Sequence, residues 1–432
     1  MIIFLLFLQL VFCLLILYKE VYFNKLRNLA TSIFFSIYSI LFIIIPIILH
    51  CFYGGAKSIV ADKDNLIINF DVYLIYNILG IVLLSTSLFI VYNRNNVEPS
   101  YKGIDSYSNL TNKIGLLIVF GLFVFIYSTG LTLSELFSIS RFGWMESSGY
   151  NVFFSVLSTY IIALTPIYTY LFIMSEKNKW MIIVFVFCLF SLIIYSIITK
   201  DRKSFFYIFS GLVAAKYHKN QCCFNLKRKY ILFGFLLLMI FVFSQFIRDF
   251  LPRYLLNENI DFWEELYVSS SRLIEYSDIS YFYRASIEAI YQNYENNFYI
   301  FLGIIRRTLF FYLPSSLSGG LKIEDMSAIF SDLVGGEDLT RRGSMPPGFF
   351  GIFVLSFGWF VSILVMPIIA YSIHKIDMLF IKKISILQIV LITLYFTCVV
   401  FVFRGDESTS FYFIVSNLFF LFLIKQLNFK RN

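Results

Sequence analysis

The sequence predicts an all-α, polytopic integral membrane protein, and three observations carry that prediction. Hydrophobic residues make up 59% of the 432-residue chain and charged residues only 14%, against roughly 45–50% and 25% in an ordinary soluble protein. So few polar side chains cannot cover so much apolar surface in water, which excludes a string of soluble domains. The apolar residues also fall in runs of about twenty, the length that crosses a bilayer as a helix. Short segments of alternating polarity, which build a membrane β-barrel, do not occur. The 20% aromatic content, with 53 Phe and 30 Tyr, fits a gene-wide compositional bias and carries little functional weight.

Eleven spans are expected, at about 1–18, 29–53, 66–92, 114–133, 151–174, 180–199, 204–217, 230–247, 348–372, 384–403 and 408–425. This divides the chain into residues 1–247 with eight transmembrane helices, a large loop at 248–347, and residues 348–432 with three more. The seventh span is short. The first run starts at Met1 with no basic stretch before it and no small-residue cleavage site, so it is expected to be a retained helix.

Basic residues in short loops set the orientation. One set of loops holds 15 Lys and 4 Arg, among them Lys19, Lys25, Arg27, Arg94, Lys216, Lys219 and Lys375, with few acids. That side is expected to be cytoplasmic, which puts the N-terminus outside and the C-terminus inside. The other side holds 5 Lys and 11 Arg. Orientation alone does not require that inversion. The planar guanidinium fork matches phosphate and carboxylate in a way an ammonium does not, so an arginine-rich outer face points to an anionic partner there. The net charge of +8 is explained by the lysine-rich loops and implies no nucleic-acid partner. The six cysteines lie in spans, at their ends or in cytoplasmic loops; the adjacent Cys222 and Cys223 have no companion ligands, and no metal-ligand spacing appears.

The outer loop 248–347 contains 9 basic and 14 acidic residues and no cysteine. Residues 271–295 read as an amphipathic helix, with Leu273, Tyr276, Ile279, Tyr283, Ile287, Ile290 and Tyr294 at helical spacing and Ser271 as cap. Arg272, Glu275, Asp278, Arg284 and Glu288 lie along it, each taken singly as a solvated charge. Residues 298–313 form an apolar run too short to span comfortably. Arg306 and Arg307 sit near its middle, where each costs roughly 2.5–3.5 kcal/mol on insertion scales. It is expected to lie in the outer interface, and two arginines at that depth mark a functional site. Arg341 and Arg342 then lead through Gly343, Pro346, Pro347, Gly348 and Gly351 into the ninth span, where irregular backbone is expected. Two tight outer hairpins, Lys200-Asp201-Arg202-Lys203 and Arg404-Gly405-Asp406-Glu407, place arginine beside carboxylate. Asp62-Lys63-Asp64 has the Asp-x-Asp pattern of metal-using glycosyltransferases but no second cluster, and is read as a solvated loop.

With these pieces together the chain resembles the bacterial Wzy-type O-antigen or oligosaccharide repeat-unit polymerases. The resemblance covers the topology and three stretches: Thr199-Lys200-Asp201-Arg202; Arg306-Arg307-Thr308-Leu309 followed by Ser344-Met345-Pro346-Pro347-Gly348-Phe349-Phe350-Gly351 and Phe357-Gly358-Trp359; and Phe403-Arg404-Gly405-Asp406. Lys200 and Asp201 stand where the family has Gly and Ser, and the family's Pro before the arginine and its later Lys-Pro are missing. The resemblance implies a GT-C-like helical fold in the inner membrane with the large loop and N-terminus periplasmic. It implies undecaprenyl-pyrophosphate-linked oligosaccharides as substrates, and a chain-length regulator and a flippase as partners. The growing glycan would pass from one lipid carrier to a new repeat unit on another.

The residues suit that chemistry on their own terms. A lipid pyrophosphate leaving group needs positioned cations, and Arg202, Arg306, Arg307, Arg341, Arg342 and Arg404 lie on the outer side, so no metal or other cofactor is expected. The acceptor hydroxyl needs a base. His218 and His374 are on the cytoplasmic side and His50 lies at the outer end of the second span, so a carboxylate is the expected base, with Asp201, Asp249, Glu275, Glu324, Asp406 and Glu407 as candidates. An O-antigen ligase is the nearest alternative, but such ligases usually carry a His in the large loop and this loop has none. A flippase or polysaccharide exporter would favour internal repeats, which are absent. A membrane acyltransferase would want a catalytic His, and on the outer side only His50 is available.

Overall fold

The computed structural model describes residues 1–24, 27–59, 66–94, 108–132, 135–136, 149–176, 178–199, 203–220, 263, 278–292, 326–335, 346–381, 386–404, 417–418 and 422. Helices dominate, and no strand occurs among the described residues beyond one isolated bridge between Lys57 and Leu66. The helices are α1 (Ile2–Tyr18), α2 (Leu29–Ser39), α3 (Ile45–Phe52), α4 (Phe70–Asn93), α5 (Ser108–Thr129), α6 (Val152–Ile162), α7 (Thr165–Met174), α8 (Lys179–Thr199), α9 (Lys203–Lys219), α10 (Asp278–Gln292), α11 (Met326–Gly335), α12 (Gly348–Ile381) and α13 (Ile386–Arg404). A π-helical turn, Lys19–Phe23, extends α1, and another, Ile40–Ile44, joins α2 to α3.

Seven helices among the described residues are long and apolar enough to cross a membrane: Ile2–Phe23, Leu29–Phe52, Phe70–Asn93, Asn109–Thr129, Phe153–Met174, Lys179–Thr199 and Gly348–Leu379. The protein is thus an all-α membrane protein. The seven match expected spans one to six and nine. Helices α9 and α13 occupy the seventh and tenth, while 230–247 and almost all of 408–425 lie outside the described residues. The chain divides into two compact units: Met1–Glu98 with Arg272–Ile381 and Cys398–Phe411, and Pro99–Ser271 with Lys382–Thr397 and Tyr412–Asn432.

The first unit is built around aromatic rings. Phe34, Tyr38 and Phe42 follow one another at i, i+4 spacing along α2 and its π-helical extension. They meet Phe349 and Phe350 of α12 and Phe403 of α13, with Tyr38 stacked on Phe42 at 5.4 Å. Where α1, α2 and α4 meet, Gln9 Nε2 donates to Asn77 Oδ1 at 2.8 Å and Tyr38 Oη donates to Gln9 Oε1 at 3.1 Å, all buried. Hydrocarbon offers no water to these groups, so they must satisfy one another. Gly80 makes room for them, since a Cβ there would collide with Gln9 and Tyr38.

At one end of this unit, α2 begins without a side-chain cap from its own neighbourhood. Its open N–H groups are taken by a residue 347 positions away: Asp377 Oδ1 accepts from Ala30 N at 2.7 Å, and Oδ2 from Thr31 Oγ1 at 2.5 Å. Arg94, just past α4, donates to the same carboxylate at 3.3 Å, and both side chains are almost fully buried. Beside them Asn28 Nδ2 bonds both oxygens of buried Glu20, at 2.9 and 2.8 Å. One knot therefore ties α1, α2, α4 and α12 at the end that carries Lys19, Arg94 and Lys375, all of which were assigned to one side from sequence.

Helix α12 does not run unbroken. Gly358 has φ 74° and ψ 164°, so the helix is two segments across a kink, and Ser362 Oγ donates to the Gly358 carbonyl at 2.7 Å. In the second unit, Phe172 of α7 stacks on Phe185 of α8 at 4.0 Å. Its fifth span is itself bent at Ala163–Leu164, where Pro166 starts a new helix. Asn151 caps the first half by accepting from Phe153 N and Phe154 N. Helix α8 ends at Thr199 and α9 starts at Lys203; residues 200–202 of the expected hairpin lie outside the described residues.

Asp377→Ala removes the cap of α2 and strands Arg94. It is expected to lower stability by about 3–5 kcal/mol, the usual loss when one partner of a buried pair is deleted. Thermal unfolding of the detergent-solubilised protein measures this, and an unchanged transition would show that the knot is not structural.

Candidate functional site

The end of the first unit opposite that knot carries a pocket. Residues 53–59 after α3 and 66–69 before α4 meet there, and α10 and α11 from the large loop pack beside them. Helix α10 was expected to be a solvated amphipathic helix. That expectation fails for its central charges, because Arg284 is 7% exposed and Glu288 3% exposed. Small residues explain it: Ala285 and Ala289 pack with Phe330 of α11 and Leu355 of α12 in one buried cluster. On the same side Gly348 and Gly351 let α12 approach closely. Gly348 has φ 76° and a Cβ on it would strike Ser286 and the Phe282 carbonyl, while one on Gly351 would lie 2.7 Å from Ala289 Cβ. The expected irregular entry to the ninth span is confined, among the described residues, to Pro346 and Pro347. The helix starts at Gly348, and Tyr281 Oη donates to the Pro346 carbonyl at 2.9 Å.

The two buried charges have different surroundings. Arg284 Nε donates to the Lys57 carbonyl at 3.0 Å and Nη2 donates to the Ser58 carbonyl, which pins residues 57 and 58 to α10. Four residues on, Glu288 Oε1 accepts from Gln292 Nε2 at 3.1 Å, but Oε2 is buried with no hydrogen-bond partner. An unmet buried polar group costs about 1–3 kcal/mol, more when charged. Glu288 lines a pocket of about 540 Å³ together with Ser58, Asn69, Phe70, Tyr291 and Gln292. That volume is within the range of roughly 300–1,000 Å³ typical of small-molecule sites.

His50 of α3 does not stand alone. Its Nε2 lies 2.8 Å from Tyr283 Oη of α10, and its ring meets Tyr73 edge-on at 4.9 Å. Burial pushes the Tyr283 phenol well above its usual range, so it keeps its proton across the physiological range.

The residues singled out from sequence fall largely elsewhere. Asp201, Arg202, Asp249, Glu275, Arg306, Arg307, Glu324, Arg341, Arg342, Asp406 and Glu407 lie outside the described residues, as do Asp62, Lys63 and Asp64. Arg404 is the last residue of α13. The geometry adds Glu288, Arg284 and His50 instead. Their sequence signal was slight: two charges four residues apart on a helix where Ala285, Ser286 and Ala289 are small enough for close packing.

No protein-family profile, curated protein or solved structure matches this chain. Any function must therefore be argued from the chemistry of its own residues.

Arg284→Ala leaves the carbonyls of Lys57 and Ser58 without these donors. A loss of about 1.5–3 kcal/mol is expected, as for hydrogen bonds from a charged group, together with faster proteolysis at residues 57–59. Equal proteolysis rates in mutant and wild type would show that Arg284 does not hold that segment.

Proposed function

We propose that this chain is a repeat-unit polymerase of the Wzy type. In full, it would be an inner-membrane enzyme of about eleven spans, GT-C-like, with the large loop and N-terminus in the periplasm and the C-terminus in the cytoplasm. The observation that carries the proposal is the partition of charge chemistry between the two ends. Lysines, with Arg94 and Asp377, mark one end of the first unit; the other has a pocket with a buried carboxylate. Eleven of the fifteen arginines belong to that second side by sequence.

Glycan transfer from a lipid pyrophosphate needs both kinds of group. The acceptor hydroxyl oxygen bonds to the donor's anomeric carbon, the bond from that carbon to the pyrophosphate oxygen breaks, and the hydroxyl proton passes to a base. Arg202, Arg306, Arg307, Arg341, Arg342 and Arg404 are proposed to hold the pyrophosphate and neutralise its developing charge. Asp201, Asp249, Glu275, Asp406 and Glu407 are the proposed bases. The enzyme is proposed to work without a metal, beside a flippase that supplies its substrate and a chain-length regulator.

One observation favours a second reading. The large loop has no histidine, which argued against an O-antigen ligase. Yet His50 reaches the loop helix α10 through Tyr283, so a histidine does stand against the loop. The two readings part on one experiment. Deletion of the gene is expected to leave surface glycan capped by single repeat units. A normal ladder of long chains in the deletion strain would eliminate the polymerase, and polymer stranded on the lipid carrier would establish the ligase.

Arg307→Ala and Arg404→Ala are expected to abolish long chains while the protein still inserts at normal level, read by glycan gel and by immunoblot of membranes. Chains of full length in either variant would remove that arginine from the site.

A further inference from the structure

We propose that the end of the first unit bearing the Asp377 knot binds the head group of an anionic phospholipid, held by Lys19 of α1 beside Tyr92 of α4, with Lys375 of α12 as a second point of attachment. The chains of that lipid would lie along the exposed apolar face of α1.

Two acid–base pairs close together in the chain split their charges at this end. Glu20 is fully buried and held by Asn28. Lys19, the residue before it, stays at the surface: its Nζ donates to the Tyr92 carbonyl at 3.3 Å and lies 4.4 Å from the centre of the Tyr92 ring. Asp377 is fully buried against the start of α2. Lys375, two residues before it, is exposed, with its Nζ 4.9 Å from the centre of the Tyr371 ring. Both acids are thus spent inside the protein, and both ammonium groups remain outside. Among the described residues neither lysine has a carboxylate partner, and the ion pair at this end, Arg94 with Asp377, is buried. The surface here is left with uncompensated positive charge.

The surroundings specify what anion meets it. An ammonium has three donors, and Lys19 spends one on the Tyr92 carbonyl at the end of α4. The other two suit phosphate oxygens. Tyr18, Tyr22 and Tyr92 are all exposed beside it, and Tyr18 packs against Tyr22 at 4.9 Å. Tyrosine together with lysine is the composition of a membrane–water interface, and basic clusters there attract anionic lipid. Below Tyr18, α1 exposes Phe4, Phe7, Val11 and Leu14. Their spacing of three and four residues puts them on one face of the helix, in line with Tyr18.

The alternatives use only part of this arrangement. A dissolved phosphate could meet the ammonium groups but gains nothing from the apolar stripe. A zwitterionic lipid covers the stripe but brings a cation of its own to a surface that already has two. An anionic lipid meets the charge, the tyrosines and the stripe together.

The test uses the full-length protein, delipidated in mild detergent, with bound lipids counted by native mass spectrometry. The probes are phosphatidylglycerol and phosphatidylcholine with identical chains. Wild type is expected to prefer phosphatidylglycerol by roughly tenfold or more, about fivefold for each lysine, as for a basic residue near anionic lipid. Replacing both lysines, Lys19→Gln with Lys375→Gln, is expected to reduce that preference to within about twofold, and Lys19→Arg with Lys375→Arg to keep it. Equal unfolding temperatures confirm that the variants are folded. Lys375→Gln alone breaks no hydrogen bond and is expected to lose about fivefold even should the double variant fail to fold. Lys179→Gln, which removes a cation from the second unit, is expected to change nothing. No preference in wild type, an unchanged preference in the glutamine variants, or an equal loss in Lys179→Gln overturns the site. Displacement of the lipid by equimolar glycerol phosphate or hexaglutamate would mark a site for a soluble anion or an acidic protein segment, and overturns it as well.

Discussion

The carboxylate of Asp377 is the contact on which the first unit depends. It closes the N-terminus of α2, takes the guanidinium of Arg94 from the end of α4, and is itself part of α12. Three helices far apart in sequence are thereby held at one level. Buried inside the protein, the open N–H groups of this helix start have no water to turn to, so a cap brought by another helix is a strong constraint on how the helices stack. The aromatic column of Phe34, Tyr38 and Phe42 then has a definite face to present to Phe349 and Phe350.

Anchoring one end leaves the other free to serve function. At that end the contacts are of a different kind: backbone carbonyls tied by Arg284, small residues that bring α10 against α12, and a carboxylate with one oxygen unmet. Glu20 is buried too, but both of its oxygens are met by Asn28. The contrast between a carboxylate that is satisfied and one that is not separates a structural acid from a candidate site residue. Charge count alone could not make that distinction.

The transmembrane architecture was legible because its physics is one-dimensional. A run of apolar residues long enough to span must become a helix, whatever its neighbours are. Thus Phe70–Asn93, Lys179–Thr199 and Gly348–Leu379 coincide with runs visible in the sequence to within a few residues, apart from the longer C-terminal end of the last. What could not be read were the breaks and the buried charges. Gly358 looks like any helical glycine in a membrane span until its φ of 74° is known. Helix α10 has the periodicity of a solvated amphipathic helix, yet α11, itself not anticipated, and the glycine-lined start of α12 pack on Ala285 and Ala289, and Arg284 and Glu288 are buried beside Ser58.

Sequence by itself determined that this is a helical membrane protein, where most spans lie, and that lysine and arginine segregate to opposite sides. These follow from composition and length, which no folding event can alter. Only the tertiary structure decided which polar groups meet: Asp377 with the start of α2, His50 with Tyr283, Arg284 with the carbonyls of Lys57 and Ser58, and Glu288 with Gln292 through one oxygen only. Those pairings join residues up to 347 positions apart. They depend on which helix faces pack together, and a hydropathy pattern that is apolar on nearly every face carries no record of that choice.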